Sequence, residues 1–262
     1  MNENLLSYLL KKSKIYRRKI LDLSYKSGKG HIGGAYSILD VLVYMYHSSL
    51  RSKFPNSIFL VGKGHVYLAS SVIWADLNII DPLLLETFTE NDTLLGGQFT
   101  TSIPESIYNS GSLGHVIGIS SGYALALKLL KDKTKLVFSI IGDGECEEGS
   151  IWESMDFAVR NELDNLIVIV DRNGLSITDF IPNDRLVEKF TAFGANCIEI
   201  DGHDFNSIEN AFTKALESTK KVTVLVANTI KGKGVSIFEN NAKWHAGLVS
   251  EDVYNKAKKE LI

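Results

Sequence analysis

The sequence predicts an α/β protein built on one doubly wound, mainly parallel five-stranded sheet with helices on both faces. Three observations carry this expectation. Five short apolar runs, at 58–61, 135–141, 166–170, 197–200 and 222–227, alternate with segments of helical length and periodicity, as in successive βαβ units. The second and third runs are close to continuously apolar, which marks strands buried on both faces. Glycine-rich or polar loops with histidine, aspartate or asparagine follow the runs, on the sheet edge where open α/β folds bind ligands.

Taken in order, residues 3–26 carry Leu6, Leu9, Leu10, Ile15, Ile20, Leu21 and Leu23 at loosely amphipathic spacing, which predicts a first helix. It stops in Ser27-Gly28-Lys29-Gly30-His31-Ile32-Gly33-Gly34, read as a loop whose glycines allow close backbone approach around His31. Ser37 is expected to cap a helix from Ile38 to about His47. The first strand leads into Gly62-Lys63-Gly64-His65, and a helix from Val66 to Leu77 follows. Residues 89–112, rich in Thr, Ser and Gly with a single Pro104, form a long irregular segment of the kind that is usually functional. It ends in Gly111-Ser112-Leu113-Gly114-His115 and opens a helix to Leu130. Beyond the second strand, helices are expected at Ser150–Asn161, near Asp184 to Phe193, at Ser207–Glu217 and from Glu251 onward. No linker, repeat or low-complexity stretch divides the chain, so residues 1–262 are read as a single domain.

Composition narrows the function. The chain has 262 residues, 45% hydrophobic and 23% charged, with a net charge of −3, which gives no electrostatic footprint for nucleic acid. Lys11, Lys12, Lys14, Arg17, Arg18 and Lys19 alternate with apolar residues at helical spacing, as on a solvated helix face. Two cysteines, Cys146 and Cys197, make neither a disulfide framework nor a metal-ligand pair. No stretch has the length of a membrane span, and the N-terminus does not read as a signal peptide. A cytoplasmic protein is expected.

The central βαβ unit holds the chemistry. Its first strand ends in Gly142-Asp143-Gly144 and its second in Asp171-Arg172-Asn173. A right-handed crossover opens both strand ends on one edge, so Asp143 and Asn173 are expected side by side although they lie thirty positions apart. One carboxylate, one amide oxygen and glycines suit a hard divalent cation carrying a phosphate. Asp-Gly after a strand is also a common turn, so the assignment rests on the pairing with Asn173.

With these blocks assembled, the chain resembles the N-terminal, diphosphate-binding domain of the transketolase family, especially transketolases made as two separate subunits. Gly142-Asp143-Gly144 with Asn173 resembles the thiamine diphosphate motif. Gly30-His31-Ile32-Gly33-Gly34, Lys63-Gly64-His65, Gly111-Ser112-Leu113-Gly114, Asp201-Gly202-His203-Asp204, Lys231-Gly232-Lys233-Gly234 and Trp244-His245 follow in the family's order. The resemblance implies that Asp143, Asn173 and the carbonyl of Leu175 hold Mg²⁺ or Ca²⁺ on the diphosphate, with Gly142 and Gly144 beside it. It implies that His65 and His245 touch the diphosphate or the reacting centre, and that His31 faces a sugar or sugar-phosphate substrate. Gly111 and Leu113 would sit against the thiamine. Glu148 resembles a family carboxylate buried between the two cofactors of a dimer.

The same resemblance implies a separate pyrimidine-binding partner subunit, because the family's glutamate for the aminopyrimidine lies in the next domain. A self-associating chain in a heterotetramer is expected, inactive alone. The departures fall on the sugar side. Gly96-Gly97-Gln98-Phe99 stands where the family has Gly-His-Pro and an acid, Ile32 stands for a usual proline and His115 for a usual glutamine. An α subunit of a 2-oxoacid dehydrogenase shares the Gly-Asp-Gly to Asn pattern, though the histidine blocks and Trp244-His245 speak for transketolase. A non-catalytic cofactor-binding or regulatory homologue is the third reading.

Overall fold

A computed structural model of the chain describes residues 1–103, 106–175 and 185–261. Its sheet has five strands, β1 (Ile58–Val61), β2 (Val137–Gly142), β3 (Leu166–Arg172), β4 (Asn196–Asp201) and β5 (Thr223–Asn228). They lie in the order β1-β2-β3-β5-β4, every pair parallel. All five expected strands are present, and the sheet is wholly rather than mainly parallel.

The apolar runs are nearly continuous because each strand feeds two cores. Phe138, Ile140, Ile167, Ile169, Leu225 and Ala227 face one side, where α1 (Glu3–Ser27), α2 (Ile32–Ser37), α3 (Leu39–His47), α4 (Ser49–Lys53) and α5 (Tyr67–Asp76) contribute buried residues. Val137, Ile141, Leu166, Val168, Val170, Val224 and Val226 face the other, against α6 (Val116–Leu129), α7 (Gly149–Arg160) and α8 (Leu186–Ala192). The helix α9 (Phe205–Glu217) and the last helix, α10 (Glu251–Glu260), return to the first side. Alternate residues of one strand thus point into opposite layers, and few positions are left for polar side chains.

Three expectations need correction. The segment after α1 is not all loop: Ile32–Ser37 is helical, with Gly33 and Gly34 inside it. Ser37 caps nothing. Its hydroxyl donates to the Gly34 carbonyl at 2.9 Å and to Asp171 Oδ2 at 2.6 Å, a distant partner that periodicity could not supply. Helix α9 starts earlier than expected because Asp204 caps it, accepting from the amides of Asn206 and Ser207. Pro104 and Asp184, the expected start of a helix, lie outside the described residues.

Among the described residues, no helix is long and apolar enough to cross a membrane. The register Gly142↔Asp171 and Asp171↔Ala227 brings the carboxyl ends of β2, β3 and β5 level.

Candidate functional site

A cavity of about 330 Å³ opens at this edge, lined by the loops after β1, β2, β3 and β5 and by the long segment before α6. Asp143 and Asn173 are neighbours there, as the crossover requires. The Gly174 amide donates to Asp143 Oδ2 at 2.6 Å, and the Asp143 amide donates to the Asp171 carbonyl at 3.2 Å. The Asn173 oxygen accepts from the Leu175 amide at 3.2 Å. Asp143, Asn173 and Leu175 all line the cavity. Burial raises the Asp143 pKa, and the Asp171 carboxylate raises it further. A cation beside Asp143 would relieve both effects.

Asp171 anchors this corner from beneath. It is fully buried and accepts from Ser37, Thr229 and Asn173 while forming an ion pair with Lys63. Burial opposes its charge, but Lys63 and these donors outweigh that and hold its pKa below the usual range. One carboxylate therefore ties the end of β3 to α2 and to the loops after β1 and β5. Asp171→Ala would strand the buried Lys63 ammonium, so we expect a loss of about 3–5 kcal/mol. Chemical denaturation reads this directly; a change below about 1 kcal/mol, within the range of ordinary surface substitutions, would mean the pair holds nothing.

Facing the acidic corner is a cluster of nitrogen. His31 and His65 have ring centroids 4.4 Å apart, His65 and His245 4.3 Å, and His31 and His245 5.5 Å. His65 Nε2 lies 3.1 Å from His245 Nε2, and Lys231 Nζ lies 3.1 Å from His245 Nδ1 and 3.2 Å from the Leu175 carbonyl. Burial, then the charges of neighbouring histidines and lysines, push His65 far below the usual imidazole range. His31 moves the same way, by burial, Lys231 and Lys63. Lys231 itself is lowered to about 8 by burial and Lys63. The ligand nitrogens of the three histidines lie within 4.8 Å of one another, close enough for a metal. The ammonium groups of Lys63 and Lys231 beside them favour an anion instead.

The remaining expected residues divide. Gly111 and Leu113 are on the cavity rim, with Leu113 38% exposed. Gly142 and Gly144 form its floor. Glu148 does not line it: the side chain is exposed at the start of α7. Gln98, from the departing segment, does reach the cavity, where its Oε1 accepts from Ser110 Oγ at 3.2 Å. It lies so close over Gly64 that any side chain at 64 would overlap its amide.

Sequence reasoning assigned no role to Lys63, Lys231, Asp171 or Glu145. Only Asp171 carried a signal, a charge ending an otherwise apolar run. Glu145 is 1% exposed and lines the cavity; its Oε1 accepts from the Gly114 amide at 3.0 Å, and burial pushes its pKa up to about 7. His203, grouped with the edge histidines, turns away from the cavity. Its Nδ1 lies 2.8 Å from Asp40, which Arg17 grips with both guanidinium ends, and its Nε2 accepts from the Ile230 amide. Its work is to hold the loop that carries Lys231 and His245.

Such a parallel sheet, with an acidic corner facing amines and imidazoles across one cavity, defines a diphosphate-binding α/β domain. Comparison with known proteins gives the family. The profile described as "Transketolase, thiamine diphosphate binding domain" matches residues 13–261, and the chain belongs to that family. It is 33% identical over 255 residues to one of the subunits of apulose-4-phosphate transketolase from Phocaeicola vulgatus, covering 94% of this chain and 90% of that one. It is 31% identical over 258 residues to the 6-deoxy-6-sulfo-D-fructose transketolase subunit SqwG of Clostridium sp., covering 94% of each. The crystal structure of transketolase from Campylobacter jejuni superposes with a TM-score of 0.88 at 25% identity. All of this chain is covered, but only 43% of that one. These matches favour the transketolase reading over the 2-oxoacid dehydrogenase.

Proposed function

We propose that the chain is the diphosphate-binding subunit of a thiamine-diphosphate-dependent ketol transferase that moves a two-carbon unit between sugars or sugar phosphates. The observation that supports this most is the cavity's two-sided chemistry. Asp143, Asn173 and the Leu175 carbonyl offer hard oxygen ligands for Mg²⁺ or Ca²⁺. Lys231, beside the Leu175 carbonyl, and the neighbouring His65 and His245 offer donors for the diphosphate. These groups fit a metal-bound diphosphate and would hold it.

Bound there, the cofactor supplies the electron-accepting ring that ketol transfer needs. The protein's own part is orientation and proton handling. Gly111 and Leu113 would support the thiamine, and Gly142 and Gly144 would let the diphosphate approach the backbone. His31, His65 and His245 would offer ring nitrogens for hydrogen bonds to sugar hydroxyls and so orient the substrate. Glu148 would lie between two copies of the chain, consistent with its exposure in a single copy. The chain would act as one domain in a cytoplasmic heterotetramer with a pyrimidine-binding partner. The test is titration of thiamine diphosphate with Mg²⁺ into the full chain, followed by a transfer assay with the partner; no binding at millimolar cofactor would sink the proposal.

The substrate is expected to differ from the ordinary pair. Gly97 stands where the family has an imidazole and Gln98 where it has a proline; the Gln98 amide that reaches the cavity can neither take up nor release a proton. The two relatives above are named for apulose 4-phosphate and a sulfo-sugar. We expect transfer from xylulose 5-phosphate to ribose 5-phosphate to run at least about 100-fold below that of the physiological pair in kcat/KM, as when a general acid–base group is lost. Efficient turnover of that pair would show that Gln98 or a neighbour replaces the histidine fully.

A further inference from the structure

The cavity wall holds a second carboxylate that the metal corner does not use. Glu145 follows Asp143 by two residues, within the same turn. Its Oε1 accepts from the Gly114 amide, but its Oε2 is buried with no hydrogen-bond partner. The bed is specific: any side chain at Gly62 would overlap the Glu145 carboxyl group. A bare strand end and a loop amide together hold the group against the cavity. Lys63, the nearby cation, is already paired with Asp171. An unpaired buried carboxylate oxygen on a cavity wall calls for a cation or a donor from whatever fills the cavity.

What fills it next to Asp143 follows from connectivity, on the reading proposed above. With the diphosphate at Asp143 and Asn173, the group one short linker away is the cofactor's five-membered ring, which carries a permanent positive charge. Glu145 lies on the path from that corner toward Gly111 and Leu113, since it is bonded to the residue immediately after Leu113. We propose that Glu145, through Oε2, is the counter-charge to the cationic ring of the bound cofactor. It positions that ring rather than reacting with it, and it makes this site selective for a cation at that point of the ligand.

The test pairs two ligands with one substitution. Thiamine diphosphate and 3-deazathiamine diphosphate have the same shape, but the second has a neutral ring. Each is titrated with Mg²⁺ into the full chain and into Glu145→Gln, which can still accept from Gly114. We expect the substitution to weaken the cationic ligand by about tenfold or more, and the neutral one by less than about twofold. Equal losses for both ligands, or no loss for either, would overturn the assignment and leave Glu145 a structural residue. A wild-type chain that binds neither ligand would overturn the cofactor site itself, an outcome visible before any variant is made.

Discussion

Asp143→Ala should lose binding of thiamine diphosphate with Mg²⁺ by at least about 100-fold while the chain stays folded. Of the three oxygens assigned to the metal, Asp143 alone brings a charge. Without it, a diphosphate and its cation would meet an amide and a carbonyl only. The fold should tolerate the change because the residue follows β2 in a turn and belongs to no hydrophobic layer. Two backbone bonds are lost, those from the Gly144 amide at 2.9 Å and the Gly174 amide at 2.6 Å, at a cost of about 1–3 kcal/mol for each buried donor left unmade. Against that, the substitution removes a buried carboxylate that Asp171 repels. The net loss should therefore leave most of a typical stability of about 5–15 kcal/mol. Calorimetry with and without Mg²⁺, beside a thermal melt, separates the two effects. Near-unchanged cofactor affinity would refute the metal assignment, and a melted protein would show that the turn is structural.

The contrast between Asp143 and Asp171 shows what the sequence could reveal. Both end apolar strands, and both sit at the same edge. Asp143 was recognisable because it stands between glycines in a local pattern. Asp171 has its partners at Ser37, Lys63 and Thr229, far apart in the chain, so only the folded sheet brings them together. The strands were legible for a simple reason: burial on both faces leaves few polar positions, and apolar runs stand out. Helix α2 was not, because Gly33 and Gly34 oppose helix propensity. Packing outweighs them: the loop of Trp244 comes so close to Gly33 that a Cβ there would meet its carbonyl at 2.8 Å.

Among the histidines, the sequence places His65, His203 and His245 after strand ends and His31 in the loop after the first helix, and the fold regroups them. His31, His65 and His245 converge, whereas His203 is drawn into the Arg17–Asp40 pair. Nothing in the Asp201-Gly202-His203-Asp204 block distinguishes it locally from the others. The difference lies in a buried carboxylate on α3, more than 160 positions away. Glu145 was hidden in a similar way, inside an acidic stretch that looks solvated as text. Glu147, at the cavity lining, and Glu148, off it, are both exposed, and of the three only Glu145 is buried.

Catalytic competence should require a partner, and the expected result is a chain that binds cofactor but barely activates it. On the proposed reading, activation needs a carboxylate on the aminopyrimidine; of the acidic residues at the cavity, Asp143 and Glu145 are assigned elsewhere and Glu147 is exposed on the short turn after Asp143. Asp143 belongs to the metal corner. Glu145 is fixed by Gly114 and is assigned to the cofactor's cationic ring. Glu148 is exposed away from the lining. Leu113, proposed to support the thiamine, is itself 38% exposed, as a surface awaiting cover would be. The two relatives named as subunits match this chain over nearly their whole length, which supports a split enzyme. We therefore expect exchange of the cofactor's C2 proton, followed by NMR in deuterated buffer, to be slower by at least about 100-fold in this chain alone than in the complex, the range that a positioned acid–base group contributes. Adding a transketolase pyrimidine-binding subunit should restore it, and size measurement of the mixture should give two copies of each chain. Rapid exchange in the isolated chain would mean that one of its own carboxylates reaches the pyrimidine, and the assignment of Glu145 to the neighbouring ring would have to be revised with it.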